Sequence, residues 1–253
     1  TEDGKKGGFS LRGNRYQRWN NCGGIRMSNS KRYKSESRVN TLPVEKKSII
    51  HVGIDFGTSF TKVAYAVNGK SQSIVYFTVG TESSPYLPSI LSLDKNTQRI
   101  VFNSHDLRNS KIKYFKYAML DPTQSFYFDN SNFRYSQITD FFEFCSVFFL
   151  SRVISFSKEY IISELRINNP DDCDWNFNMG VPLDNFDPDK KRVYDLVLHA
   201  ADKLVQQYNK DEIEINQLNN FYAYFKKSES KKKPDYLNTL PELYAEALGY
   251  LND

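Results

Sequence analysis

His51-Val52-Gly53-Ile54-Asp55-Phe56-Gly57-Thr58-Ser59-Phe60-Thr61-Lys62-Val63-Ala64 reads as a strand, a tight turn and a second strand. The β-rich residues Ile49, Ile50, Val52 and Ile54 lead into Asp55-Phe56-Gly57. Polar and apolar positions then alternate through Thr61-Lys62-Val63-Ala64-Tyr65, the period of a half-buried strand. Gly57 allows a sharp turn and lets a ligand approach the backbone closely. Successive N–H groups in such a turn make a concavity suited to an anion, and the hydroxyls of Thr58 and Ser59 add donors. Asp55, at the strand end, suits a hydrated Mg²⁺ ion, which keeps several waters and takes few carboxylates. The chain has no Gly-x-x-x-x-Gly-Lys-Ser/Thr, so this is not a P-loop.

Strand signals continue outward from the hairpin. Residues 60–67 form the second run, Asn68-Gly69 is a strong tight-turn pair, and residues 73–79 read as a third strand. Two more candidates, residues 90–93 and 99–102, flank the polar turn at residues 94–96, so the opening reads as a meander of about five strands. Helical spacing follows. Ile138, Phe141, Phe142, Cys145, Phe148, Phe149, Val153 and Phe156 recur at threes and fours within residues 138–165 and predict a helix with one broad buried face. Residues 176–181 read as a short strand. Pro188-Asp189 opens a helix carrying Val193, Leu196, Val197, Ala200, Leu204 and Tyr208 on one side. Residues 209–235 are polar and read as an exposed linker, with a last helix starting near Pro241-Glu242 and running to Tyr250. Strands followed by βα units, without an internal repeat, predict an α/β layer fold on a mixed sheet.

Composition sets the remaining bounds. The 253 residues are 40% hydrophobic and 25% charged, ordinary values for a globular chain. No apolar run reaches the ~18 residues of a membrane span, and no secretory h-region opens the chain. The net charge of +4 is unevenly placed: residues 1–48 carry twelve Lys/Arg against four Asp/Glu, which leaves −4 on the rest. Those residues also hold six of the twelve glycines and show no apolar period, so they read as a disordered basic leader or tag ahead of a domain at 49–253. Met27 is a candidate start of the native chain. Because the basic charge sits in this leader, nucleic-acid binding is not expected. Cys22, Cys145 and Cys173 are far apart and odd in number, which argues against a disulfide framework or zinc site and for a reducing, cytoplasmic setting.

The seven consecutive residues Gly53-Ile54-Asp55-Phe56-Gly57-Thr58-Ser59 resemble the first phosphate motif of the actin, hexokinase and seventy-kilodalton heat-shock superfamily, in wording close to the DnaK-type chaperone branch. Three further segments follow in that family's order. Pro88-Ser89-Ile90-Leu91 is similar to its Pro-Ser strand start. Residues 113–120 occupy the place of its lysine-bearing helix, with Lys116 as the best match and Lys113 or Lys111 as alternatives. Asn178-Met179-Gly180-Val181-Pro182, then Phe186 and the Pro188-led helix, match its Val-Pro strand end. Glu242 aligns with the family's acidic residue near the attacking water, although here Pro241 precedes it instead of following.

The resemblance implies an actin-like (ribonuclease H-like) lobe with a mixed five-stranded sheet and flanking helices. It implies ATP/ADP and Mg²⁺ as ligands. Gly57, Thr58, Ser59 and Phe60 would lie on the nucleotide, Asp55 on the metal, and Lys116 and Glu242 would be the catalytic residues. It further implies ATP hydrolysis coupled to a protein client or co-chaperone, without membrane or nucleic acid. The family's second lobe, with its Asp-x-Gly-Gly-Gly-Thr hairpin, has no match in the sequence, so the chain reads as a fragment or one half of a split ATPase, inactive alone. Two alternatives stay open: a lobe of a sugar-type small-molecule kinase, and a non-hydrolysing interaction module. Elsewhere the chemistry is sparse. His51, His105 and His199 are scattered, His199 reads as packed or on the surface, and Asp171-Asp172-Cys173-Asp174 reads as a solvated acidic turn more than a calcium site.

Overall fold

The computed structural model describes residues 47–79, 81–103, 110–120, 140–182, 187–228 and 233–241, all within the unit Glu45–Asp253. The first three strands, β1 (Ser48–Phe56), β2 (Phe60–Val67) and β3 (Lys70–Ile74), form an antiparallel meander. Asn68 and Gly69 join β2 to β3 with φ of 52° and 69°, the two positive values that the Asn-Gly pair supplies cheaply. Two short strands, β4 (Phe77–Val79) and β5 (Glu82–Ser84), pair with each other, and β6 (Leu87–Pro88) returns to pair with β2. The third strand expected over residues 73–79 is therefore two strands, broken where Val75 turns inward, fully buried, and its N–H reaches Val63 O.

β7 (Leu91–Asp94), β8 (Arg99–Phe102) and β9 (Ser110–Ile112) leave the meander for a second sheet. A one-turn helix, α1 (Phe115–Ala118), precedes the long α2 (Phe141–Glu164). The chain then alternates between sheet and helix: β10 (Cys173–Val181), α3 (Pro188–Gln207), β11 (Glu212–Glu214), α4 (Ile215–Ser228) and β12 (Leu237–Pro241).

The main sheet runs β12-β10-β1-β2-β3, with β6 attached to β2. β10 pairs with β1 and β12 in parallel, and helices occupy the crossovers that such pairing needs. The register lines up Val63, Ile54, Met179 and Thr239 across the sheet, and Tyr65, Val52, Phe177 and Leu237 in the next row. All eight are buried. Alternation along β1 leaves His51, Gly53 and Asp55 exposed on the other face, as period-2 patterning requires.

α2 and α3 pack on each other and cover the buried face. The expectation of one buried side for α2 needs correction. Between residues 141 and 155 every residue except Glu143 is buried. Phe149 alone touches rings from three elements, Phe56 at 5.9 Å, Phe102 at 5.6 Å and Phe115 at 5.2 Å. Phe144, Val147, Leu150 and Ile154 lie off the expected stripe and are buried as well, which makes the first four turns of α2 a central segment buried on all sides. Arg152 is the buried charge in this stretch. It is 8% exposed and bonds Asp211 through Nε at 2.9 Å and Asn209 at 2.6 Å.

Residues 209–235 are likewise not a linker. They contain β11, which extends the second sheet by pairing with β8, and α4, which buries Ile215, Leu218, Tyr222 and Phe225. The polar majority of this segment hid four apolar residues at helical spacing. β12 was also unexpected, and Pro241 is its last described residue. α3 agrees with its reading: Asp187 accepts from the N–H groups of Asp189 and Lys190, a standard cap ahead of Pro188.

Candidate functional site

The turn between β1 and β2 is tightly built. Gly57 donates its N–H to Asp55 O at 3.0 Å. A Cβ on Gly57 would stand 2.1 Å from Phe60 O, so a side chain has no room. Thr58, Ser59 and Phe60 are exposed around it, which leaves the outer side of the turn open to a ligand. On the inner side stands Ser89, 2% exposed. Its hydroxyl donates to Gly57 O at 2.7 Å and its N–H to Ser59 O at 2.9 Å. Thr61, fully buried, places Oγ1 3.0 Å from Ser89 Oγ. The Pro88-Ser89 segment thus sits against the hairpin, which the sequence indicated only through resemblance.

Asp55 pairs with Lys62, directly opposite on β2, at 3.6 Å. Both side chains are half-exposed, and bridges of this kind contribute about 0–1 kcal/mol. Such a pair leaves Asp55 accessible to a hydrated cation. Lys62 also lies over the Tyr86 ring at 5.5 Å, and Tyr86 meets Phe60 edge-on at 6.4 Å. This exposed aromatic rim was not singled out in the sequence, although the hairpin register alone sets Asp55 opposite Lys62.

Lys116 lies in α1, 5% exposed, with Nζ 5.7 Å from the centroid of Phe56, the last residue of β1. A buried lysine at this strand end is a notable placement, because lysines are almost never fully buried unless engaged. Its two alternatives differ. Lys111 donates to Ser92 Oγ at 2.8 Å within the second sheet, and Lys113 precedes α1. The structure therefore brings Asp55, Gly57, Thr58, Ser59, Phe60 and Lys116 to one end of β1.

That end is shared. β1, β10 and β12 are parallel, so the C-terminal residues Phe56, Val181 and Pro241 fall along one edge of the sheet. In open α/β sheets, ligands bind outside the carboxyl ends of the strands. Glu242, expected as a catalytic acid, lies outside the described residues, as do Phe186 and the helix expected over residues 242–250.

The other polar clusters are structural by geometry. Asp195 on α3 accepts from Lys191 at 2.7 Å, Lys233 at 2.6 Å and Thr239 at 3.0 Å, which ties β12 to the helix. Burial would raise its pKa, yet the two lysines and the threonine hold the carboxyl below the usual range. Lys233, expected within the exposed linker, is thus an anchor. Glu143 is pushed up by burial, against the Tyr222 hydroxyl at 2.5 Å and Lys226. Burial lowers Lys158, which lies over Phe177 at 5.2 Å, with Asp202 opposing. His199 is buried against Phe225 at 4.9 Å, in line with a packed histidine.

Among the described residues no three His, Cys, Asp or Glu side chains gather as a metal site, and the acidic turn Pro170–Asp172 is a capped 3₁₀ turn. A lone carboxylate such as Asp55 fits Mg²⁺ held through water, and not a protein-caged metal. Among the described residues no helix is long and apolar enough to cross a membrane. Comparison with protein-family models, with curated proteins and with solved structures gives no match.

Proposed function

We propose that this chain forms the first nucleotide-binding lobe of a DnaK-like, actin-type ATPase. One observation carries the reading: the side-chain-free turn at Gly57 sits at the carboxyl end of β1, whose last residue, Phe56, has Lys116 Nζ 5.7 Å from its ring. The strand order supports it. Three antiparallel strands followed by two parallel ones across helical crossovers is the arrangement expected of a ribonuclease H-like lobe.

In this reading the turn's amides, with the hydroxyls of Thr58 and Ser59, bind the nucleotide phosphates. Asp55 holds the water shell of Mg²⁺, which offsets phosphate charge. Lys116, held in a poorly hydrated place, supplies a positive charge where negative charge develops on the transferring phosphoryl group. Phe60 lines the outer rim. ATP binding and hydrolysis would then bias the position of this lobe against a second one and so gate a client or co-chaperone.

The test is calorimetric titration with Mg-ATP and Mg-ADP. One wall of a cleft should give saturable binding at roughly 1 mM nucleotide, weaker than about 1 µM. Asp55→Ala should weaken it and remove its dependence on Mg²⁺. Lys116→Met should retain binding while lowering ATP turnover about a hundredfold in the lobe-complete protein. No binding by the wild-type chain, or binding indifferent to Asp55→Ala, refutes the reading.

A further inference from the structure

We infer that Ser89 is a positioning residue that aims the turn's amide donors at the ligand, an inference that rests on the phosphate-binding reading of the hairpin. Ser89 lies 32 residues from Gly57 in sequence yet bonds two peptide units of the turn. Its hydroxyl holds the Gly57 carbonyl, and its N–H holds the Ser59 carbonyl. In a planar trans peptide the N–H points opposite to the C=O. Pinning the Gly57 and Ser59 carbonyls inward therefore turns the N–H groups of Thr58 and Phe60 away from Ser89. Thr58 and Phe60 are exposed, so these donors lie on the side a ligand reaches.

Proton direction follows from the same geometry. A serine hydroxyl has one proton. Ser89 uses it on Gly57 O, so the 3.0 Å contact with Thr61 requires Thr61 to donate to Ser89. The result is an ordered chain, Thr61 to Ser89 to Gly57, in which each bond polarises the next. Both hydroxyls are buried, which shields the chain from competing water. Without it, the Gly57–Thr58 peptide is free to rotate, and a phosphate would have to order the turn on binding.

The experiment titrates Mg-ATP into wild type and three variants, and follows backbone amides by NMR. Ser89→Ala should weaken Mg-ATP binding about tenfold, one charge-assisted hydrogen bond's worth of misalignment. Thr61→Val should weaken it by roughly threefold. Ser89→Thr keeps the hydroxyl and should bind within about twofold of wild type. In wild type, the Thr58 and Phe60 amide protons should shift downfield on saturation. That measurement decides the matter even if Ser89→Ala does not fold. Wild type that fails to bind overturns the nucleotide reading and this inference with it. Wild type that binds, with Ser89→Ala equal to it, with Ser89→Thr as weak as Ser89→Ala, or with unshifted Thr58 and Phe60 amides, overturns the inference alone.

Discussion

Replacing Gly57 by alanine is the sharpest perturbation of the hairpin. The added Cβ would lie 2.1 Å from Phe60 O, whereas real Cβ contacts essentially never fall below 3.0 Å. The turn must open by about 0.9 Å to reach even that limit. A shift of this size at Gly57 would stretch its 2.7 Å bond from Ser89 to about 3.6 Å, beyond hydrogen-bonding range. The 3.0 Å bond from Gly57 N to Asp55 O and the 2.9 Å bond from Ser89 N to Ser59 O are threatened equally. Three bonds at roughly 0.5–1.5 kcal/mol each amount to about 1.5–4.5 kcal/mol. For a domain of this size that is a Tm loss of roughly 3–18 °C. Thermal unfolding by circular dichroism measures it, and Mg-ATP titration of the surviving folded fraction should show weakened binding. A Gly57→Ala protein with unchanged Tm and affinity would refute the steric reasoning, because the turn would then have relaxed at no cost.

Three further substitutions test other parts of the structure. Phe225→Ala in α4 should destabilise by about 3–5 kcal/mol in urea unfolding, since the ring is 1% exposed; a linker in its place would give no effect. Arg152→Ala should cost about 1–2 kcal/mol by the same measurement, because it removes a side chain only 8% exposed together with its bonds to the surface residues Asn209 and Asp211. Asp195 has a folded pKa below its unfolded value, so its stabilisation is present above pH ~4 and is lost as pH falls through the folded value. Urea midpoints measured down to about pH 2 should therefore fall more steeply for wild type than for Asp195→Asn. Parallel acid limbs would contradict that assignment.

Much of the main sheet could be read in advance where the signal is local. The run before Asp55 and the alternation after Phe60 become β1 and β2, and the expected strand at residues 99–102 becomes β8 with the same bounds. Asn68-Gly69 makes the turn its stereochemistry favours, and Asp187 with Pro188 starts α3. Errors arose where partners are distant. Val75 interrupts a plausible long strand to fill a buried gap, and β7 and β8 are drawn into a second sheet by β9 and β11. α4 was obscured because four buried residues are enough to dock a helix that otherwise looks polar.

The candidate site divides along the same line. Asp55, Gly57, Thr58 and Ser59 fall within five consecutive residues, so backbone sterics and turn chemistry place them together whatever the rest of the chain does. Neither Lys116 nor Ser89 is local to them. A four-residue helix has too little intrinsic stability to position a lysine; burial of Phe115 and Ala118 fixes α1, and with it Lys116 Nζ over Phe56. Ser89 reaches the turn only because β6 pairs with β2. Residue order thus sets the hairpin and its donors, since a short peptide's conformational choices are few. The direction of those donors, and the charge beside them, come from long-range pairing and burial, which depend on what the folded chain brings close.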